Sequence, residues 1–333
     1  MTPRPASRRR FLAGAAALPF LPAGLSAGLP AGARAQGTQR YASLNMFIPA
    51  APGGGWDSLG RAIEQVARQA GLVGTMQFEN VGGAGGAVGL PRFVAQRRGR
   101  PDALMVAGAV MVGSTITNKS PVGVRDVTPI ARLTDETLAV VVPASSEIRD
   151  LKGLMDALRA NPGGVAVGGG SAGGMDHILL GQLIKSVGRN AREASYVAFA
   201  GGGPAQAAIL GGQVKAGISG FSEFAEQIKA GRMRALATSG ATRTDPAVPT
   251  LRESGIDIVM GNWRGLFAPP GISADIRANH IRFATELRAL PAWKSLLETR
   301  GWEDAFMEGG AFEEFLKRDL EATAAVLREI GLA

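Results

Sequence analysis

The sequence predicts an α/β chain of two lobes, each a mainly parallel β-sheet flanked by helices. Three observations carry that expectation. From about residue 40, short apolar runs alternate with segments of helical period, which is how parallel strands joined by right-handed crossovers read. Several of the runs end in glycine clusters, and the 333 residues include 47 glycines, as suits tight strand-to-helix turns. The alternation restarts near residue 150, and the chain crosses back near Trp263. With 46% hydrophobic residues, the chain can bury two cores.

Residues 1–35 stand apart. Ser7-Arg8-Arg9-Arg10-Phe11-Leu12 precedes an Ala/Gly/Leu-rich stretch to about Leu29, and Ala33-Arg34-Ala35 follows. Charged start, apolar centre and small-residue cleavage site are the parts of a signal peptide, with Gln36 as the first mature residue. The paired arginines before Phe-Leu are the twin-arginine form, and an ordinary secretory signal is the alternative. Pro19, Pro22 and Pro30 interrupt the stretch, against a retained membrane anchor. The expected location is the periplasm, with no membrane-embedded part.

This segment also explains most of the +8 formal charge. Its five arginines, taken from 36 basic residues, leave 31 against 28 acids, a net charge of +3. The remainder shows no concentrated basic stripe, so nucleic acid is not an expected partner. Zero cysteines exclude disulfides, thiolate metal sites and a lipid-modified cysteine.

The first set of elements begins with the strand Leu44–Ile48, which runs into Pro52-Gly53-Gly54-Gly55. Ser58–Ala70 follows as a helix, with Leu59, Ala62, Ile63 and Val66 on one face. Met76–Glu79 is a strand ending in Gly82-Gly83-Ala84-Gly85-Gly86, and Ala103–Ala107, Ile130–Leu133 and Ala139–Val142 are further strands. In the second set, helix Leu151–Ala160 leads to strand Val165–Val167 and the turn Gly168-Gly169-Gly170-Ser171-Ala172-Gly173-Gly174. Helix Ile178–Ser186, strand Ala194–Phe199, the turn Gly201-Gly202-Gly203-Pro204, helix Ala205–Leu210 and strands Ala216–Ser219 and Ala235–Thr238 complete it. Three helices, near 275–289, 292–300 and 311–330, close the chain.

The glycine turns share one chemical logic. They let backbone approach a ligand closely, and the helix that follows presents unpaired N–H groups able to hold a carboxylate or phosphate without a lysine or arginine. In open α/β sheets, ligands bind beyond the carboxyl ends of the strands, where these turns fall. Asp57 either caps its helix or accepts a ligand's hydrogen bond, and Trp56 either lines a cleft or packs on a sheet rim. Arg61 or Arg264 could add a cationic contact, or serve in an ion pair.

Two enzyme motifs compete. Gly168-x-Gly170-x-x-Gly173 with Glu193 downstream matches a dinucleotide fingerprint, but in mid-chain rather than at a first strand. Gly169-Gly170-Ser171-Ala172-Gly173 fits a nucleophile elbow. A serine hydrolase of small esters would pair Ser171 with His280 and with Asp245 or Asp257. His280 falls in an ordinary amphipathic helix, and His177 follows too closely to be the base. With two separated histidines and no acidic cluster, neither a metal nor another cofactor is expected.

The same residues resemble a known family, the extracytoplasmic receptors of tripartite tricarboxylate transporters, also called Bug-type solute receptors. The resemblance covers nearly all of the mature chain. It rests on Ile48-Pro49-Ala50-Ala51-Pro52-Gly53-Gly54-Gly55-Trp56-Asp57 with Arg61, on Glu79 through Gly86, and on Tyr196 through Pro204 with Leu210-Gly211-Gly212-Gln213. Val248 through Gly255 and Trp263 through Gly271 extend it. The resemblance implies a class II-like periplasmic binding fold that closes like a Venus flytrap, with no catalysis and no cofactor. It implies a monomer that captures a small carboxylate, a tricarboxylate such as citrate or a dicarboxylate, for a permease of large and small subunits. The first lobe would be residues 40–142 plus 262–333, the second 143–261. Carried over, the ligand would meet Gly53, Gly54, Gly55, Trp56, Asp57, Gly83, Ala84 and Gly85. From the opposite lobe it would meet Ser171, Gly173, His177, Phe199, Ala200, Gly201 and Ser219. Trp56 and Phe199-Ala200-Gly201 depart from the commoner family residues, which keeps smaller dicarboxylates, aromatic carboxylates and amino acids open as ligands.

Overall fold

A computed structural model describes residues 40–333; the expected signal segment and its cleavage site lie outside the described residues. The chain order is β1 (Tyr41–Ile48), α1 (Gly55–Gln69), β2 (Val73–Asn80), α2 (Gly89–Arg97), β3 (Ala103–Gly108), α3 (Ala109–Thr117) and β4 (Thr128–Asp135). Next come β5 (Leu138–Pro143), α4 (Leu151–Ala160), β6 (Val167–Gly169), α5 (Met175–Ser186), β7 (Tyr196–Ala198), α6 (Gly202–Leu210), β8 (Ala216–Gly220), α7 (Phe221–Lys229) and β9 (Met233–Thr238). The chain ends with β10 (Arg264–Ala268), α8 (Ala274–Ala289), α9 (Pro291–Arg300), β11 (Glu303–Glu308) and α10 (Gly309–Glu329).

These strands form two sheets, ordered β11-β4-β10-β3-β1-β2 and β7-β6-β8-β5-β9. The two share one pattern. Strands joined by helical crossovers run parallel (β1 with β2 and β3, β6 with β7 and β8). The strand that arrives from the other sheet, β5 or β10, inserts antiparallel. The sheets are therefore mixed rather than mainly parallel, because each crossing brings the chain in from the opposite direction. Ala139–Val142, read from the sequence as a strand of the first lobe, instead pairs with β8 and β9 in the second sheet.

Apolar spacing explains the packing. In α1, Leu59, Ala62, Ile63, Val66 and Ala67 are buried, each large side chain contributing about 1.5–3 kcal/mol. A Cβ at Gly60 would lie 2.8 Å from Ile48 Cδ1, so the helix sits almost flush on β1. Every residue of β3 is buried, as a strand covered on both faces requires. Three helices went unread in the sequence. In α3, Ala-Val-Met-Val-Gly-Ser-Thr-Ile-Thr is apolar nearly all round, with no polar face to mark its period, while α2 and α7 are only nine residues long. The charged edge strand β11 was also missed.

The crossings between the sheets, residues 136–137 and 239–263, brace each other. Thr137 and Gly261 form an antiparallel bridge, Asn262 N–H donates to Glu136 O at 2.8 Å, and Leu138 N–H donates to Ser239 Oγ at 2.9 Å. Beside them, the end of α10 leaves the first sheet's core. Its Leu327, with Ile330 just beyond it, packs on Ile178 and Ala191 of the second.

Candidate functional site

The turns after β1, β2, β6 and β7 meet around a cavity of about 370 Å³ between the sheets. A larger hollow of about 1100 Å³ lies elsewhere, between α4, α5 and residues 254–259. It is an open groove whose Lys152, Asp156 and Arg159 pair with one another, and it meets none of the glycine turns.

Three helices begin at the inter-sheet cavity, α1 at Gly54, α5 at Gly174 and α6 at Gly201, and none has a side-chain cap. Each therefore lacks an N-cap side-chain acceptor, although Glu223 of the facing sheet takes the first N–H of α1, and the positive end of each helix dipole points toward the cavity. Gly85 adds a turn that only glycine fits easily. Its φ is +60°, and an added Cβ would approach Ser171 Cβ of the facing wall to 3.0 Å.

Most of the residues singled out in the sequence line this cavity: Gly54, Gly55, Trp56, Gly83, Ala84 and Gly85 on one side, and Ser171, Phe199, Ala200, Gly201 and Ser219 on the other. Trp56 does both things considered for it, since its indole also packs where a Cβ at Gly86 would stand, 3.2 Å away. Gly53, Asp57, Gly173 and His177 lie behind the lining and act as braces. Asp57 Oδ2 accepts from Gly53 N–H at 3.0 Å, and its Oδ1 accepts from Asn80 Nδ2 at 3.0 Å, tying the turn after β1 to the end of β2. His177 Nδ1 accepts from Gly173 N–H at 3.3 Å, while its ring stacks on Tyr196 with centroids 4.1 Å apart. Burial pushes the His177 pKa down to about 4, so it holds the turn as a neutral ring and offers no cation.

Arg61 lies outside the cavity, stacked over Phe78 at 3.7 Å and half-exposed. Arg264 reaches the lining, but its guanidinium is bonded to Glu136, and both side chains are buried. Glu136 also accepts from Ser222 N–H at 2.8 Å and from Ser222 Oγ. One carboxylate at the crossing thereby caps α7 and neutralises Arg264.

Sequence reading missed two acids. Asp176 lines the cavity and accepts from Gly170 N–H at 2.6 Å, and burial pushes its pKa up to about 7. Glu223 accepts from Ser219 Oγ and, across the cleft, from Gly55 N–H. Burial raises its pKa, and Glu136 nearby raises it further. Both stand in the first turn of a helix that follows a glycine-ended strand or turn, which was the available signal. Asn118 and Asn262 also line the cavity unforeseen.

No triad forms at Ser171. His280 is fully buried, with Nδ1 2.7 Å from the Tyr41 hydroxyl. Tyr41 starts β1, whose far end feeds the cavity, and seven strand steps place the two about 23 Å apart. Asp257 pairs with Arg252, and Asp245 caps Ala247 N–H. In the fingerprint reading, Glu193 is occupied by Arg189. Among the described residues no group of His, Cys, Asp and Glu could hold a metal ion, and no helix is long and apolar enough to cross a membrane.

Comparison with known proteins shows a family and a fold. Residues 61–332 match the family described as tripartite tricarboxylate transporter family receptor. Protein BugT of Bordetella pertussis is 27% identical over 294 residues, covering 86% of this chain and 89% of that protein. The structure of the periplasmic binding protein BugD superposes with a TM-score of 0.77 at 22% identity, covering 87% of this chain and 98% of BugD. MatC of Rhodopseudomonas palustris, solved with bound malate, gives a TM-score of 0.74 at 22% identity, covering 86% of this chain and 98% of MatC. An R. palustris protein solved with adipate gives a TM-score of 0.74 at 20% identity, covering 87% of this chain and 97% of its own.

Proposed function

The chain belongs to the tripartite tricarboxylate transporter receptors, and on that premise we propose that it is a periplasmic receptor that traps a small carboxylate between its sheets. The observation that carries this reading is the convergence of three helix N-termini with glycine at the N-cap, drawn from both sheets, on one cavity of about 370 Å³. Each helix end contributes roughly 0.3–2 kcal/mol to an anion. Micromolar binding needs about 8 kcal/mol, so side-chain hydrogen bonds and burial supply the rest. The lobes, pivoting on residues 136–137 and 239–263, close over the ligand as a monomer and present it to a permease of large and small subunits. Export uses the twin-arginine signal of residues 1–35, cleaved after Ala35. The malate and adipate bound to the two structural neighbours favour a dicarboxylate-sized ligand, with citrate as the tricarboxylate to include.

The test is a thermal-shift screen of the protein produced from its full sequence, against di- and tricarboxylates, aromatic acids and amino acids. A ligand at 100 times its Kd stabilises the folded state by about 2.7 kcal/mol, a rise of a few degrees. A selective rise with the ligand recovered unchanged supports the reading. No shift with any carboxylate, together with turnover of an ester probe, overturns it.

A further inference from the structure

Glu223 holds the place that the receptor reading gives to a ligand carboxylate. It stands in the first turn of α7, and its carboxylate reaches across the cleft to accept from Gly55 N–H at the start of α1. Its Oε2 also lies against the start of α6, where a Cβ on Gly202 would overlap it. Ser219 Oγ donates to the same carboxylate. Two of the three helix ends at the cavity therefore already face an anion that belongs to the protein itself.

Other side-chain bonds span the cleft, but none of their groups ionises near neutral pH. Ser114 Oγ donates to Ala172 O at 3.1 Å, and Trp302 Nε1 to Ser222 Oγ at 3.3 Å. The charged groups around Glu223 are Asp176 of α5, Glu136 of the crossing and Arg264 of β10, the last two bonded to each other. From α6 and β8 comes no titratable residue. On α1, Asp57 is turned to Gly53 and Asn80, and Arg61 lies over Phe78. On the outer side, Glu226 and Arg300 share a hollow of about 420 Å³ with Glu223. Burial first, and Glu136 second, hold the Glu223 pKa above the usual carboxylate range. A further carboxylate brought to the same seat, away from water, pushes it the same way, because two anions in one buried site favour a shared proton.

We propose that Glu223 is a proton-linked latch of the cleft, and that capture of a carboxylate is coupled to uptake of one proton from solvent onto its side chain. As a carboxyl group, Glu223 keeps an oxygen that accepts from Gly55 N–H and Ser219 Oγ, while its new O–H donates to the captured carboxylate. The bond between the sheets then survives the arrival of the ligand instead of competing with it. This coupling rests on the receptor reading of the same cavity and holds whichever small carboxylate enters. Linkage fixes its sign. A group whose pKa rises on binding takes up protons, so affinity falls as pH rises above the range where free Glu223 ionises.

Isothermal titration with malate, succinate and aspartate, in buffers of low and high ionisation enthalpy, counts the protons. The heat of binding should differ between buffers by the equivalent of about one proton taken up, and affinity should fall by up to about tenfold per pH unit between pH 7 and 8.5. Glu223→Gln keeps the acceptor oxygen and loses the charge. It should abolish the buffer dependence and bind the same probe tenfold or more tightly than the parent at pH 8.5. A parent heat that is the same in every buffer, or a proton count that survives in Glu223→Gln, overturns the proposal and leaves the receptor reading standing. The first of these outcomes needs no variant, so it decides even where Glu223→Gln fails to fold. Failure of all three probes to bind also overturns the proposal, and the receptor reading falls with it if the wider screen is empty too.

Discussion

Glu136→Ala leaves the Arg264 guanidinium without its hydrogen-bonded carboxylate at the crossing between the sheets. The side chains of Arg264 and Glu136 are 2% and 0% exposed, so water cannot replace the carboxylate. Gly55 presses on Arg264 from one side, where a Cβ would lie 2.6 Å from Nη2, and Trp302 stands 5.5 Å away on another. Breaking a buried pair from one side costs about 3–5 kcal/mol. The Ser222 N–H at the start of α7 loses its acceptor in the same step. Taking about 4 kcal/mol and an unfolding entropy near 2.1 cal/mol/K per residue, the melting temperature should fall by about 6 °C. Urea denaturation followed by tryptophan fluorescence would give the free energy directly. The double variant Glu136→Gln with Arg264→Met removes the stranded charge and should recover much of the loss. A Glu136→Ala protein within about 1 kcal/mol of the parent, or a double variant no more stable than the single one, would refute the reasoning.

Other outcomes can be checked alongside. Gly113→Ala should improve α3 by about 0.5–1 kcal/mol, yet its methyl would overlap the Gly173 carbonyl oxygen of the facing sheet; calorimetry should show ligand affinity reduced tenfold or more with the melting temperature held. Asp57→Ala removes the acceptor of Gly53 N–H and Asn80 Nδ2 and should cost about 1–3 kcal/mol in a denaturant titration, with weaker ligand binding. Buried His177 and His280 have pKa values lowered to about 4, below the unfolded value near 6.5. Their stabilising contribution is present above pH 6.5 and is lost as pH falls toward 4, by up to about 3 kcal/mol each. Stability measured over that window should slope less in His177→Gln, and an unchanged slope would count against the assignment.

How far the sequence discloses the molecule varies with the feature. The glycine turns were legible because a strand, a glycine cluster and a helical period stand in fixed order, and eleven of the fifteen residues singled out there line the cavity. Strand direction was not. The apolar run of β5 reads alike in either sheet, and nothing in the residues of β10 states that its neighbours run the other way. His177 was placed in the cavity by the family resemblance, but its ring stacks on Tyr196 instead. Asp176 and Glu223 resemble solvent-facing helix acids until the turns of the opposite sheet close over them. Arg264 carried a readable mark, as the one charge in the otherwise apolar run Trp263–Ala268.

The seat of α10 bears on how the molecule can move. Two adjacent crossing strands define an axis but leave the halves free both to bend and to swivel about it. The chain end adds a third attachment beside that pair, through Leu327 and Ile330 on Ile178 and Ala191 and through Lys185 with Glu329. A Cβ on Gly181 would already touch Ile330 at 3.0 Å, so this attachment has little slack. Three points of attachment restrain swivelling and leave bending as the soft coordinate. The C-terminal residues, far from the glycine turns in sequence, thus steer which faces can meet.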